Sequence, residues 1–286
     1  MNYSSAIRFI YRAYPFRKGR NRLRSFAMRH IRGVIIGKDQ FGNGMLLNLD
    51  SLMDCMVYLD GANELPAMKE LKRWVDSGPC DTFIDIGANI GSFTLFFSQH
   101  TKLQRLYAFE PDPGNHAQLV ANIWLNEQRQ RIQPFEMALS DESGMAVLYR
   151  PKGRQSDEFL KYNMGTSGLD RYPRRHDNSE KIEVAKRRLD DVLNLSGNTI
   201  AIKIDVEGHE YSVLKGMQDL LRNNECGLIM EVWSRNEDNS RAVNALLAGL
   251  GYTRVNTNIE PDTHLYVKQS ALRPSASSLR QRVANA

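Results

Sequence analysis

Short apolar runs separated by small or polar turns recur through most of this chain. Thr82 to Ile86 predicts a buried strand, broken by a single acid, Asp85. A small-residue turn follows through Gly91, and the apolar run Phe93 to Phe97 starts a helix. Leu106–Phe109 predicts a second strand. It ends in Glu110-Pro111-Asp112-Pro113, where Asp112 can N-cap a helix with Pro113 at its first position, running to about Asn126. Ile132–Met137 is the third strand, and the turn Ser140–Gly144 leads to an extra one, Met145–Tyr149. Ile182–Val184 and Leu189–Leu193 predict a further strand and a short helix. Ile200–Ile204 is again a buried strand, ending in Asp205-Val206-Glu207-Gly208-His209-Glu210, with one helix onward to Leu221. Leu228–Val232, interrupted by Glu231, is the next strand. Asn239–Leu250 is a helix closed by Gly251, and Tyr252–Val255 with Leu265–Lys268 form a closing antiparallel pair.

Strands that alternate with helices predict an α/β fold, a doubly wound and mostly parallel sheet with an antiparallel last strand. Ligands of such sheets bind at the carboxyl ends of the strands, where the winding reverses. If the strand at residue 200 returns beside the strand at residue 82, Asp85–Gly91 and Asp205–His209 become neighbours.

Ahead of this domain the pattern changes. Tyr3, Ile7, Ile10 and Tyr14 share one helical face, and Leu23, Phe26, Ala27 and Ile31 form a second stripe after Pro15. A turn at Phe41–Gly44 joins short strands around Val34–Gly37 and Met45–Asn48, and the polar loop Asp60–Glu64 precedes a helix over Leu65–Val75. The expected organisation is a helical basic arm at 1–38, packing elements at 39–80, the α/β domain at 81–269 and a polar tail at 270–286. Residues 150–181 break the periodicity and read as a substrate-loop insertion; no internal repeat is present.

Composition adds one asymmetry. Net charge is +5, yet residues 1–38 carry ten Lys/Arg and no Asp or Glu, which leaves 28 basic against 33 acidic residues in the rest. A mildly acidic domain argues against a nucleic-acid groove, and no nucleic-acid partner is expected. The arm suits an anionic membrane surface, or packs on the domain with solvated arginines. No apolar run approaches the roughly 18–20 residues that span a bilayer. Cys55, Cys80 and Cys226 are odd in number and lack metal-ligand spacing. The expected location is cytoplasmic, with a peripheral place at the inner face of the membrane left open.

The turn from Asp85 to Gly91 is the main chemical signal. A strand, a glycine turn and a helix start present backbone amides to a ligand, and an acid ending the second strand, Glu110, can accept from both hydroxyls of a ribose. A dinucleotide loop needs glycines at 87, 89 and 92; this chain has Gly87, Asn89 and Ser92, which disfavours NAD. Asp205, Glu207 and His209 form a second polar cluster, at the end of the strand Ile200–Ile204. Histidine is the usual proton acceptor near neutral pH, and either carboxylate is the alternative. A divalent ion on Asp205, Glu207 and Glu231 would need a denser acid set, and no metal is expected.

Asp85-Ile-Gly-Ala-Asn-Ile-Gly91 resembles the first motif of S-adenosylmethionine-dependent methyltransferases. Together with Phe109-Glu110-Pro111, Lys203-Ile-Asp-Val-Glu-Gly-His-Glu210 and Val213-Leu-Lys-Gly216 it resembles the FkbM family over roughly residues 45–268. The resemblance implies a class I methyltransferase Rossmann-like fold and methyl transfer to a hydroxyl of a sugar in a glycan, glycolipid or polysaccharide precursor. By that resemblance Asp85, Gly87, Ala88, Asn89 and Gly91 hold the methionine part of the cofactor and Glu110 the ribose. The adenine would lie near Glu136, Met137 and Ala138, with Pro111 or Asp112 on its other side. Asn163–Gly168 is a candidate substrate loop, and Tyr172, Arg174, Arg175 and His176 suit an anionic glycan. The competing readings are a natural-product or other small-molecule O-methyltransferase, and a non-catalytic protein that docks to membrane or nucleic acid through its arm.

Overall fold

The computed structural model describes residues 3–15, 17–62, 64–151, 168–169, 179–234, 236–255, 259 and 261–268. Residues 163–167, Tyr172, Arg174, Arg175, His176 and the 270–286 tail lie outside the described residues.

The chain opens with α1 (Tyr3–Ala13) and α2 (Arg17–His30), then an antiparallel pair, β1 (Val34–Lys38) and β2 (Gly44–Asn48), and the helices α3 (Leu52–Asp60) and α4 (Leu65–Asp76). The arm packs on the domain through Ile7, Tyr11, Ala27 and Ile31. The contact face of α1 is rotated from the expected stripe: Ile10 is 55% exposed and Tyr11 is buried instead. Polar contacts set that rotation. The Tyr11 hydroxyl donates to Asp60, Arg12 Nε donates to the Leu59 carbonyl (3.2 Å), and Arg24 pairs with Asp60 (3.0 Å). Several arginines expected in solvent thus serve the C-terminal end of α3, where carbonyls lack helical partners. α3 itself has no sequence-level expectation, because Met53–Leu59 is apolar almost all round and shows no face. Its caps are legible: Ser51 accepts from the Asp54 amide, and Gly61 is left-handed.

The domain continues as β3 (Thr82–Ile86), α5 (Ser92–His100), β4 (Arg105–Phe109), α6 (Pro113–Leu125), β5 (Ile132–Phe135), β6 (Ala138–Leu139), β7 (Gly144–Pro151) and β8 (Ser179–Arg187). Next come α7 (Leu189–Val192), β9 (Thr199–Ile204), α8 (Glu210–Lys215), α9 (Gln218–Asn223), β10 (Glu225–Glu231), α10 (Glu237–Gly249), β11 (Tyr252–Val255) and β12 (Thr263–Lys268). Seven strands form one sheet in the order β11-β12-β10-β9-β3-β4-β5, with β12 alone running against its neighbours. The winding reverses between β3 and β9, which pair in parallel. This is the class I methyltransferase Rossmann-like arrangement.

Two expectations change locally. The third strand stops at Phe135; Ala138 and Leu139 leave the main sheet and pair with β8 in a side sheet. The single helix to Leu221 is two short ones, because Gly216 packs where a Cβ would lie 1.9 Å from the Ser140 carbonyl oxygen. Buried apolar side chains fill both faces of the sheet. Phe83 and Phe97 stack at 4.4 Å on one face, and Leu214, Met217 and Leu228 lie on the other.

Candidate active site

β3 and β9 leave the sheet together, with Ile86 opposite Ile204. The Asp205 amide donates to the Ile86 carbonyl (3.0 Å), so the Gly87 turn and the Asp205 loop touch directly. A Cβ on Gly87 would lie 1.9 Å from the Asp205 carbonyl oxygen, and Gly87 has φ +79°; only glycine fits both conditions.

The turn is latched to the next strand. The amides of Gly87 and Ala88 donate to the Phe109 carbonyl (3.0 and 2.9 Å), the Asn89 amide to Glu110 Oε2 (2.8 Å), and the Gly91 amide to the Ala88 carbonyl (2.9 Å). The sequence reading expected these amides to face a ligand, but they are satisfied within the protein. Glu110 is the group the latch presents. It is 5% exposed, and its other oxygen accepts from the Asp112 amide (3.0 Å). Burial pushes its carboxyl up to about 7, with the amide bonds working the other way.

Glu110 lines a cleft of about 600 Å³ of open space. Of the residues singled out from sequence, Gly87, Asn89, Met137, Ala138, Asp205, Glu207 and His209 also line it. Four others stand behind the wall. Asp85 is fully buried, accepting from Thr94 Oγ1 (2.6 Å) with Lys203 Nζ at 4.0 Å. Ala88 is buried in the latch. Gly91 caps α5, and a Cβ there would meet Leu119 at 2.6 Å. Asp112 was expected beside the adenine but caps α6 through the Gly114 and Asn115 amides, with Arg150 Nε at 3.2 Å from its other oxygen. Leu139, Leu148, Gly168 and Leu169 line the cleft as well; the strands Met145–Tyr149 and Ile182–Val184 were legible, but not their pairing beside the cleft, which is why Leu139, Leu148 and Leu169 were not singled out.

A second cavity, about 900 Å³ with its open mouth included, lies across Asp205, the lining residue it shares with the cleft. Glu64, Lys203 and Glu231 line it with Met53, Met56 and Phe93, and Arg24 of the arm forms part of its wall. Lys203 Nζ donates to the Gly87 carbonyl (2.8 Å) and lies 3.2 Å from Asp205 Oδ2. Burial works against this ammonium, but the carboxylates of Asp205, Asp85 and Glu64 hold its pKa above the ordinary lysine value. Desolvation raises the carboxyls of Glu64 and Glu231, and the charge of Asp205 adds to the rise. Lys203 was legible as one cation in the apolar strand Ile200–Ile204; Glu64 had no signal, being one polar loop residue among five.

Backbone strain gathers here too. Among the described residues four non-glycines have positive φ. Asn89 and Glu207 border the cleft and Glu64 the second cavity, while Glu127 follows α6. Such conformations cost of order 1–3 kcal/mol each and concentrate at functional sites. His209 stands on the cleft side alone: it precedes α8, and its Nε2 lies 3.0 Å from Ser140 Oγ.

The cleft fits an S-adenosyl nucleoside. Glu110 offers a buried carboxylate, the apolar walls Phe109, Met137 and Leu139 suit a planar base, and the buried Oδ1 of Asn89 has no hydrogen-bond partner among the described residues. The family model described as the Methyltransferase FkbM domain matches residues 85–254. The 31-O-demethyl-FK506 methyltransferase FkbM of Streptomyces tacrolimicus is 31% identical over 211 residues, 65% of this chain and 77% of that protein. The 2-O-methyltransferase NoeI of Sinorhizobium fredii (strain NBRC 101917 / NGR234) is 31% identical over 152 residues, 50% of this chain and 60% of that protein. The solved structure of methyltransferase FkbM from Methylobacillus flagellatus KT matches with TM-score 0.48 at 18% identity, over 92% of this chain and 58% of that one.

Proposed function

This chain belongs to the FkbM methyltransferase family and is an S-adenosylmethionine-dependent methyltransferase; on that premise we propose that its acceptor atom is a hydroxyl oxygen, on a sugar of a glycan, glycolipid or polysaccharide precursor. The bound cofactor supplies a methyl group carried on a positively charged sulfur. The observation that carries the reading is Asp205. This residue lines both cavities, beside the Gly87 turn, so a group held there lies between the cofactor cleft and the second cavity. Two relatives support oxygen as the acceptor, since their names describe a 31-O-demethyl substrate and a 2-O-methyltransferase.

Within this reading Glu110 accepts from the ribose hydroxyls and Gly87 lets the methionine part reach Asp205. Asp205 receives the acceptor's proton and Lys203, 3.2 Å away, holds its carboxylate in place. Glu207 and His209, the other candidates for that proton, border the cleft and not the second cavity; they hold the Asp205 loop and its cofactor-side wall. Asp85, Ala88, Gly91 and Asp112 shape the cleft from behind. Proton removal by a positioned group contributes about 10²–10⁴-fold. Asp205→Asn should therefore lose turnover on that scale while still binding S-adenosylhomocysteine, and His209→Ala should keep most of its turnover. The decisive screen offers hydroxyl-bearing glycans and nucleotide sugars and reads products by mass and fragmentation. Methylation found on nitrogen or carbon alone would sink the oxygen assignment.

A second reading concerns the arm. Phe9 and Ile10 on α1 and Phe26 on α2 are exposed, and Lys18, Arg20, Arg22 and Arg29 around them are exposed as well. Apolar and cationic groups together on short helices support contact with an anionic membrane surface, at the inner face if the protein is cytoplasmic. Co-sedimentation with phosphatidylglycerol vesicles tests it; binding that Phe9→Ser and Phe26→Ser leave unchanged would remove apolar insertion from the account.

A further inference from the structure

The second cavity has a chemistry of its own. Its floor is apolar, built by Phe93 at the start of α5, Met230 on β10, and Met53 and Met56 on α3. Its polar side gathers Glu64, Asp205 and Glu231 around one ammonium, Lys203, and the arm's Arg24 is already engaged with Asp60. Lys203 is also claimed by the Gly87 carbonyl and by buried Asp85. Among the described wall residues both cations, Lys203 and Arg24, are paired with carboxylates, only Arg24 Nε lacks a hydrogen-bond partner, and four acids (Asp60, Glu64, Asp205 and Glu231) outnumber them. Glu231 is held by a hydrogen bond from Trp233 Nε1 (3.0 Å), which fixes its carboxyl at the end of β10.

Resting on the hydroxyl-acceptor reading above, we propose that the acceptor binds in this second cavity and is an uncharged polyhydroxylated molecule with an apolar portion, acceptors carrying a carboxylate or phosphate being rejected there. Hydroxyls suit a set of close carboxyls because they both donate and accept. A proton shared among Glu64 and Glu231 lets one carboxyl donate while its neighbour accepts. The raised affinity of both acids for protons is consistent with such sharing. An added anion would face Glu64, Asp205 and Glu231 with Lys203 already engaged, and like charges at close range disfavour its binding. The apolar floor has room for an alkyl or ring portion beside the polar head.

The test uses full-length protein saturated with S-adenosylhomocysteine and two probes below their micellar concentrations, n-octyl β-D-glucopyranoside and n-octyl β-D-glucuronide, by calorimetry at pH 8. The neutral glycoside should bind, and the glucuronide at least about tenfold more weakly. Met56→Trp should reduce glycoside binding by at least about tenfold through lost space, with affinity for S-adenosylhomocysteine unchanged. Glu231→Gln, close in shape, should narrow the difference between the two probes. Absent glycoside binding, a glucuronide that binds as well, or a Met56→Trp protein that binds both probes normally would each overturn the assignment. Loss of S-adenosylhomocysteine binding in folded Met56→Trp would instead give the cavity to the cofactor, also against it. Failure of the hydroxyl-acceptor reading is seen separately, in the atom methylated.

Discussion

The ammonium of Lys203, on β9, donates to the carbonyl of Gly87 at 2.8 Å and so ties the two strands together at the point where the winding reverses. The same nitrogen lies 3.2 Å from Asp205 and 4.0 Å from Asp85. One cation therefore serves the cofactor turn, the proposed proton acceptor and a buried acid.

Lys203→Met should be strongly destabilising, because Asp85 is left buried without its cation. Removing one partner of a buried pair typically costs about 3–5 kcal/mol. Chemical denaturation measures it, and adding Asp85→Asn to Lys203→Met should recover part of the loss. Equal stability of the single variant and the parent would contradict the account.

Glu110 makes cofactor binding pH-dependent. Its carboxyl titrates at about 7 in the free protein because burial disfavours the charge. Ribose hydroxyls donate to the ionised form, so binding lowers that pKa and releases a proton. Affinity for S-adenosylhomocysteine should rise as pH increases through 7, level off above it, and fall by up to about tenfold per unit below it. Calorimetry in buffers of different ionisation enthalpy reads the proton, and Glu110→Gln should flatten the profile.

Gly87→Ala places a Cβ 1.9 Å from the Asp205 carbonyl oxygen at a φ of +79°. The strand ends must separate. Expected are a loss of at least about 2 kcal/mol in stability and an undetectable affinity for S-adenosylhomocysteine. Gly197→Ala is the control: its φ is +71° with no atom within 4 Å of the added carbon, so it should cost about 1 kcal/mol and leave binding intact.

Tyr11→Phe removes the hydroxyl that donates to Asp60 but keeps the buried ring. The arm should loosen by about 1 kcal/mol, seen as faster proteolysis before residue 31 with unchanged S-adenosylhomocysteine affinity. Arm release that also abolishes cofactor binding would show that the helices do more than wall the second cavity.

The sequence by itself determined the alternation of strands and helices, the glycine turn at 87–91, Glu110 at the end of its strand, and the cluster after Ile204. These are local properties: apolar periodicity, turn chemistry and motif spacing do not depend on distant partners. Even the adjacency of the Gly87 and Asp205 loops followed from winding rules. Only the tertiary structure decided which groups face which space. Gly91 shares its motif with Gly87, yet it packs on Leu119, and Asp112, whose capping of α6 was legible, stands behind the cleft and not in its lining. The amides of the turn are consumed by Phe109 and Glu110, a pairing that needs β4 in place. Glu64, Met53 and Arg24 join the second cavity from segments with no motif at all, because burial and charge at that wall are summed over chain ends far apart in sequence. Asp205 is separated from His209 by only four positions, and the fold alone sets it between two cavities while His209 borders one.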